Sequence, residues 1–470
     1  MSVQQSIVPP PQPFSTANPT PMRTSPMMAV PKRSKGKEVA PASNKRLPSG
    51  LAPHLLPPTP LAAPKNAEQG LDAQGNKFLY RPGELVWFSR GTAWGLAVIT
   101  DRLLFKDQRH QDRPEYTVQP LSHPFNHPGP LTISSEDESM RPWLAWSAPE
   151  PTHQHLQVLA SGYDRVDWRA VLDGRYGPGD AEVDGSIFAA KDIDSSFTPI
   201  NPIGSITQAG EIYYAGVYSG GEKIWVGEAV RLRVDTPNDI MIVHHIIEKS
   251  SLGPHNTVLK DMHVIGDHYT FNTIPFDPNN PPPNNPHLPL RLTEDLSYRN
   301  RATIGKKMEV SYWRLVEPQT CIRLEDIKGR WYASRVLLPI VQGQSAFALS
   351  YSRGEIGDVG SWMNGRGDCT PAVENACKPW VKKINRTDAF GAAVPRGTRI
   401  RDFVDRAGPV NHNPQHRAFP LDPALMPPQV NNMNIGIGGS GNGGQQQIGQ
   451  GVMDTDMAEF VDVDQLDEGF

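Results

Sequence analysis

The sequence predicts a mainly β protein: two small β-barrel-like modules set between disordered tails. Three observations predict it. From about residue 78 to 350, short runs rich in Val, Ile, Trp and Tyr alternate with Gly, Pro and Asp clusters, the pattern of strands and turns. Both ends drop that pattern for Pro, Ser, Asn and Gly. Hydrophobic content is 38% and there are 47 prolines in 470 residues, a balance expected when folded parts are diluted by disordered ones.

Residues 1–74 show no hydrophobic period and are expected to be disordered, because they cannot bury enough apolar surface to offset ordering entropy. Within them PKRSKGKEVAPASNKR carries two basic clusters, Lys32 with Arg33 and Lys45 with Arg46, across an eleven-residue spacer. Such paired clusters in an extended chain suit a nuclear import receptor, so a nuclear location is expected. The first module is expected over 75–205. FLYRPGELVWF and GLAVITDRLLF read as strands joined by a turn, EYTVQPL as a third, and RPWLAWS as an aromatic return strand. DRVDWRAVLDGRYG reads as a short helix ended by glycine. The second module is expected over 206–407. EIYYAGVYSGGEKIWVGEAVRLRV and NDIMIVHHIIEK read as strands, and a Pro/Asn-rich loop at 273–300 interrupts them. KKMEVSYWRLV, DIKGRWYASRVLLPIV and SAFALSYS are expected to continue the β block. Residues 408–470 return to disorder. The last stretch, MDTDMAEFVDVDQLDEGF, has seven acidic residues and no basic one. Phe460, Val463, Leu466 and Phe470 stand among them as candidate partner-docking residues, since acidic neighbours keep bulky apolar groups solvated and available.

Several function classes find no support. There is no phosphate-loop motif and no nucleophile elbow in a strand–turn–helix context. The three cysteines form no C-x-x-C pair, so no catalytic residues, metal or cofactor are expected, and no small-molecule substrate. HHIIE at His244–Glu248 resembles part of a zinc pattern, but Lys249 stands where a second ligand is needed, and adjacent strand residues face opposite ways. The Arg366–Asp368 RGD reads as a turn. No secretory signal and no membrane segment are expected, because no run of about 18 apolar residues occurs.

GELVWFSRGTAWGLAVI, Gly83–Ile99, resembles the first hairpin of SH3/Tudor-like and PWWP barrels, many of which read methyl-lysine through an aromatic cage. That makes Trp87, Phe88 and Trp94 candidate reader residues. Strand alternation assigns at least one of Trp87 and Phe88 to the core and leaves Trp94, beside Gly95, the better candidate for exposure. Farther on, AGVYSGGEKIWVGEAVRLRVDTPNDIMIVHHI, DIKGRWYASRVLLPI and GEIGDVGSWMNGRGD resemble the fungal cryptic loci regulator 2 family of transcription-silencing proteins. The resemblance covers roughly residues 76–370. It implies a nuclear, non-enzymatic scaffold subunit of a repressor complex that couples a histone deacetylase to a nucleosome remodeller at heterochromatin. It also implies that the second module is similar to bromo-adjacent-homology (BAH) domains, with Gly227–Leu232 and DIMIVHHI as its core hairpin, and that the first is alternatively methyl-CpG-binding-like.

Net charge is −4, so any contact with nucleosomal DNA must come from a local patch. Lys378, Lys382, Lys383, Arg386, Arg396, Arg399, Arg401 and Arg406 stand against three acidic residues in 378–406 and form a candidate basic patch for sequence-independent phosphate contact. Two rival readings follow: a stand-alone histone-tail reader built on Trp94, and a non-specific DNA-binding adaptor built on this patch.

Overall fold

The computed structural model describes residues 57–402 apart from short internal stretches, the longest being 364–379. The candidate import residues Lys32, Arg33, Lys45 and Arg46, the docking residues Phe460–Phe470, the RGD turn, Lys378 and Arg406 lie outside the described residues.

The first sheet comprises β1 (Leu85–Ser89), β2 (Trp94–Lys106), β3 (Asp112–Pro120), β4 (Leu131–Ile133) and β5 (Met140–Pro142), in the order β4-β3-β2-β1-β5. β1 and β2 pair as the expected hairpin, Leu85 opposite Val98 and Ser89 opposite Trp94, with Arg90 N donating to Ala93 O at 2.8 Å across the turn. β5 comes back to the free side of β1, Trp87 opposite Arg141. Strand β1 is buried on both faces. Trp87 stacks on Trp143 with centroids 5.7 Å apart and donates its Nε1 to Trp143 O at 3.0 Å. Phe88 lies over the backbone of Gly95, where a Cβ would stand 2.6 Å from the Phe88 ring. The glycine opposite Phe88 is therefore a packing requirement.

The helix Ala181–Asp194 packs against β2. Asp180 caps it by accepting from Glu182 N and Val183 N, the N-cap role that short polar side chains fill. Its Asp184, fully buried, accepts from His153 N at 3.0 Å and contacts His153 Nδ1 at 2.6 Å. The expected short helix is seen at Trp168–Leu172, capped by Asp167.

The second sheet has nine strands: β6 (Ser196–Ile203), β7 (Glu211–Ser219), β8 (Glu222–Trp225), β9 (Ala229–Leu232), β10 (Ile240–Leu252), β11 (Val258–Pro275), β12 (Glu309–Arg323), β13 (Ile327–Arg330) and β14 (Val381–Lys382). Its main path is β12-β11-β10-β7-β6-β14, with β8 on β7, and β9 between β10 and β13. The anticipated hairpin is present: β9 pairs with β10 through Val230 and Met241.

The chain is mainly β, as its sequence predicts, and no helix among the described residues is long and apolar enough to cross a membrane. Three expectations are corrected. Neither sheet closes into a barrel among the described residues: β4 and β5 do not pair, nor do β12 and β14. SRVLLPIV and SAFALSYS form helices, Ser334–Gln342 and Gln344–Ser352, because Leu337, Leu338 and Ile340 share a helical face buried in the core. The Pro/Asn-rich loop stops short of residue 300, since an 18-residue helix begins at Leu290.

The stretch 57–74 is ordered instead of disordered. Ala67–Ala73 is a helix capped by Asn66, and Asp72 is buried. Polar pairing holds this segment where apolar burial is scarce. Asp267 accepts from Thr59 N at 2.6 Å and Thr59 Oγ1 at 2.9 Å, and from Gln319 N at 2.9 Å. Burial would raise the Asp267 carboxyl, but His244 beside it and the hydrogen bonds from Thr59 and Gln319 outweigh that and hold it at about 2.

Two predictions follow from this packing. Gly95→Ala forces the Phe88 ring aside and is expected to lower stability by about 1–3 kcal/mol, the usual cost of overpacking, as read from urea unfolding. A carboxyl with a depressed folded-state pKa contributes stability above its unfolded value, near 3.8, that is lost as pH falls toward about 2. Protection of the Thr59 amide, measured against its intrinsic exchange rate, should therefore be lost between those two pH values, and in Asp267→Asn that amide should already be weakly protected at pH 7. Unchanged exchange in Asp267→Asn would disprove the tether.

Candidate docking site along a buried ionic seam

Charged residues inside apolar strand runs join the two sheets. Arg81, fully buried just before β1, donates Nη1 to Glu228 Oε2 at 2.8 Å and to Lys223 O at 2.7 Å, and pairs Nη2 with Glu228 Oε1. Glu84 accepts from Arg81 N at 2.9 Å, from Lys223 N at 3.0 Å and from Arg330 Nη2 at 3.0 Å. It thus ties the loop before β1 to β8 and β13. Glu222 accepts from Arg330 N at 2.7 Å and Tyr332 OH at 2.8 Å. Asp72 joins Arg102 Nη1 at 2.6 Å and Trp225 Nε1 at 2.7 Å, while Asp402 takes the other edge of Arg102. Lys223 pairs with Glu68. One backbone bond crosses as well, Leu85 N to Gly221 O at 2.9 Å.

The seam's electrostatics follow from burial and pairing. Burial opposes the charge on Glu228, but Arg81 outweighs it and holds that carboxyl below the usual range. At Glu222 burial wins over Arg330 and pushes the carboxyl up. Buried charges of this kind are costly unless each is paired, so the seam specifies one docking of the two sheets.

The sequence candidates lie elsewhere. Trp87 and Phe88 are 6% and 2% exposed and belong to the core, whereas Trp94 is 36% exposed. Trp94 meets Trp146, itself 39% exposed, edge-to-face at 4.8 Å. The guanidinium of Arg141 lies 5.1 Å from the Trp94 ring centroid, so one of the protein's own cations already occupies a face of that ring. A cavity of about 50 Å³ beside Trp94 is also lined by Arg90 and Glu182, which pair with each other at 2.8 Å.

The basic segment is divided. Arg386 is buried, 4.6 Å from the Tyr218 ring centroid, and donates Nε to Gly83 O at 2.8 Å. It is therefore part of the interior and cannot meet a phosphate. Lys382 pairs with Glu248. Arg396, Arg399 and Arg401 are exposed and Lys383 half-buried. His244 is buried 3.3 Å from Asp267 while His245 is exposed, and no cluster of metal-ligating side chains occurs among the described residues.

Comparison with known proteins adds the following. Residues 213–333 match the family model described as transcription-silencing protein Clr2. Over that segment the chain is similar to the Clr2 family of transcription-silencing proteins. A search of curated proteins finds no match. Among solved structures, one titled "Structure of Clr2 bound to the Clr1 C-terminus" is similar at 12% identity and a TM-score of 0.35. The likeness covers 71% of this chain and 62% of that one, so the chain spans less than two thirds of that protein's length.

The Clr2-matched segment contains Glu222, Lys223, Glu228 and Arg330, while Glu68, Asp72, Arg81 and Glu84 lie before it. With Arg102 and Asp402, more than half of the seam's charged residues therefore come from outside the matched region. Strand alternation missed these residues. Their signal is ionisable side chains interleaved with bulky apolar ones in RPGELVWF, GGEKIWVGEAVRLR and GRWY, the last two within stretches that carried the family resemblance.

Removing one partner of a buried ion pair costs about 3–5 kcal/mol, so Glu84→Ala should lower stability by about that much in urea unfolding. Glu182→Ala, which breaks a partly exposed pair, should cost under about 1 kcal/mol. Fragment 213–333 alone, with Lys223, Glu228 and Arg330 parted from Glu68, Arg81 and Glu84, should lack a cooperative transition. A sharp transition for that fragment would refute the seam's role.

Proposed function

We propose that this chain is a non-enzymatic scaffold subunit of a chromatin-silencing complex, acting in the nucleus and organising a histone deacetylase and remodeller repressor complex at heterochromatin. The observation that carries this is the Clr2-family match over 213–333. The fold supports it: the matched strands are locked by buried ion pairs to a second sheet, which gives a rigid body with separate surfaces for several partners. The strand order β4-β3-β2-β1-β5 is compatible with an SH3/Tudor-like first module, and the β9–β10 hairpin supports a BAH-like second one. The acidic segment ending at Phe470 and the basic clusters near Lys32 and Lys45 serve recruitment and import in this reading.

Affinity purification of the tagged full chain, with partner identification, tests it. Deacetylase and remodeller subunits are expected, and deletion should derepress silenced genes. Intact silencing after deletion, in cells without a second copy, would contradict the proposal.

The exposed Trp94–Trp146 pair favours a second reading, a histone-tail reader. There the methylated peptide must compete with Arg141 for the Trp94 face, so Arg141→Ala should tighten binding of trimethyl-lysine peptides and Trp94→Ala should abolish it. Equal affinity for methylated and unmethylated peptides would end that reading.

A further inference from the structure

A cavity of about 220 Å³ opens beside the seam, between the 57–74 segment, β9 and the start of the 290–307 helix. Its wall is largely apolar: Leu61, Pro64, Val226, Leu290 and Trp331 contribute. The polar groups in it are unbalanced. The acceptors are engaged: Glu228 is held by Arg81 and by Trp225 N at 2.9 Å, and Gln69 Oε1 takes Lys65 N at 2.8 Å. The donors are not. Arg330, 2% exposed, leaves Nε and Nη1 without an acceptor, and Arg291 leaves Nε without one. The 290–307 helix begins at the cavity without a side-chain cap, no acidic residue stands in its first turn, and Arg291 stands there instead. A cation at a helix N-terminus opposes the helix dipole. Burial, reinforced by Arg81, pulls the Arg291 guanidinium down to about 10. Each of these features is relieved by an anion.

We infer that this cavity binds an acidic peptide segment, seating one bulky aliphatic or aromatic side chain against Leu61, Val226 and Trp331 while an adjacent Asp or Glu carboxylate meets Arg291, Arg330 and the helix N-terminus. Size favours a peptide over a cofactor. Pockets for whole small ligands run from about 300 to 1,000 Å³, whereas about 220 Å³ accommodates one anchor side chain and its neighbour. The rim favours it as well, because the backbone at Leu61 and Ala62 lies outside any helix or strand and makes no hydrogen bond among the described residues, which leaves its polar groups open to a peptide backbone. Apolar anchors with a few placed polar contacts are the usual form of such recognition. The inference deepens the scaffold reading by naming a partner's chemistry, and rests on that reading only for its biological setting.

Fluorescence anisotropy with the full chain tests it. The probes are a labelled peptide alternating Asp with Leu and Phe, its Asn-for-Asp counterpart, and free phenylbutyrate as competitor. The Asp peptide should bind, and the Asn peptide should bind about tenfold or more weakly, the loss of one charge-assisted hydrogen bond. Leu290→Asp and Arg291→Met should weaken the Asp peptide similarly. Leu290 is 61% exposed and an aspartate suits a helix N-terminus, so Leu290→Asp should keep the wild-type urea midpoint. No binding by the wild type, equal binding of the two peptides, or unaltered binding by both variants overturns the inference. Binding of phenylbutyrate without binding of the peptide overturns the peptide assignment in favour of a free organic acid. Any of these results can stand alongside intact recovery of the silencing complex, so failure of the cavity and failure of the scaffold reading are separable.

Discussion

The Glu84 carboxylate and the cations around it are the constraint on which the rest depends. Glu84 receives hydrogen bonds from the loop before β1, from β8 and from β13. It is 2% exposed, as is Arg330, while Arg81 is fully buried. Charges this deep are held only by mutual pairing, since an uncompensated one costs several kcal/mol. Hydrophobic contact alone tolerates sliding of one sheet over another, whereas these directed bonds do not. The seam therefore supplies register between elements far apart in sequence, and the 57–74 segment and the cavity beside it inherit their positions from it.

Parts of this fold were legible in the sequence for simple reasons. The β1–β2 and β9–β10 hairpins announce themselves through alternation and turn residues. The helices at 181–194 and 334–342 do not. Runs such as GSIFAA and VLLPI are apolar enough to be buried on most sides, and a buried helix segment and a buried strand share that signature. The 57–74 segment was hidden for the opposite reason: few apolar residues mark it, and Asp72, Gln69 and Thr59 hold it through polar bonds to residues far along the chain.

The candidate sites were legible to a lesser degree. Alternation correctly made Trp94 the exposed aromatic of its hairpin, yet nothing local places Trp146 and Arg141 on it. The basic segment reads as one patch in one dimension, but in space Arg386 turns into the interior beneath Tyr218. A charge count sees sign and spacing and is blind to burial. The seam inverts that lesson. Its charged residues look like ordinary solvated strand positions until their apolar neighbours are noticed on both sides, and Glu222, Lys223, Glu228 and Arg330 lie in stretches that resemble the silencing family. Residues 213–333 supply Glu222, Lys223, Glu228 and Arg330, and the remaining seam charges come from before and after that segment.

Native-state hydrogen exchange under rising denaturant tests the central claim most directly, that buried ion pairs make the two sheets one cooperative unit. Amides of β1 and β2 and those of β7 to β10 should lose protection together, with one free energy and one denaturant dependence, because opening either sheet strands charges in the other. Exposure of the first sheet while β7 to β10 stay protected would contradict the account.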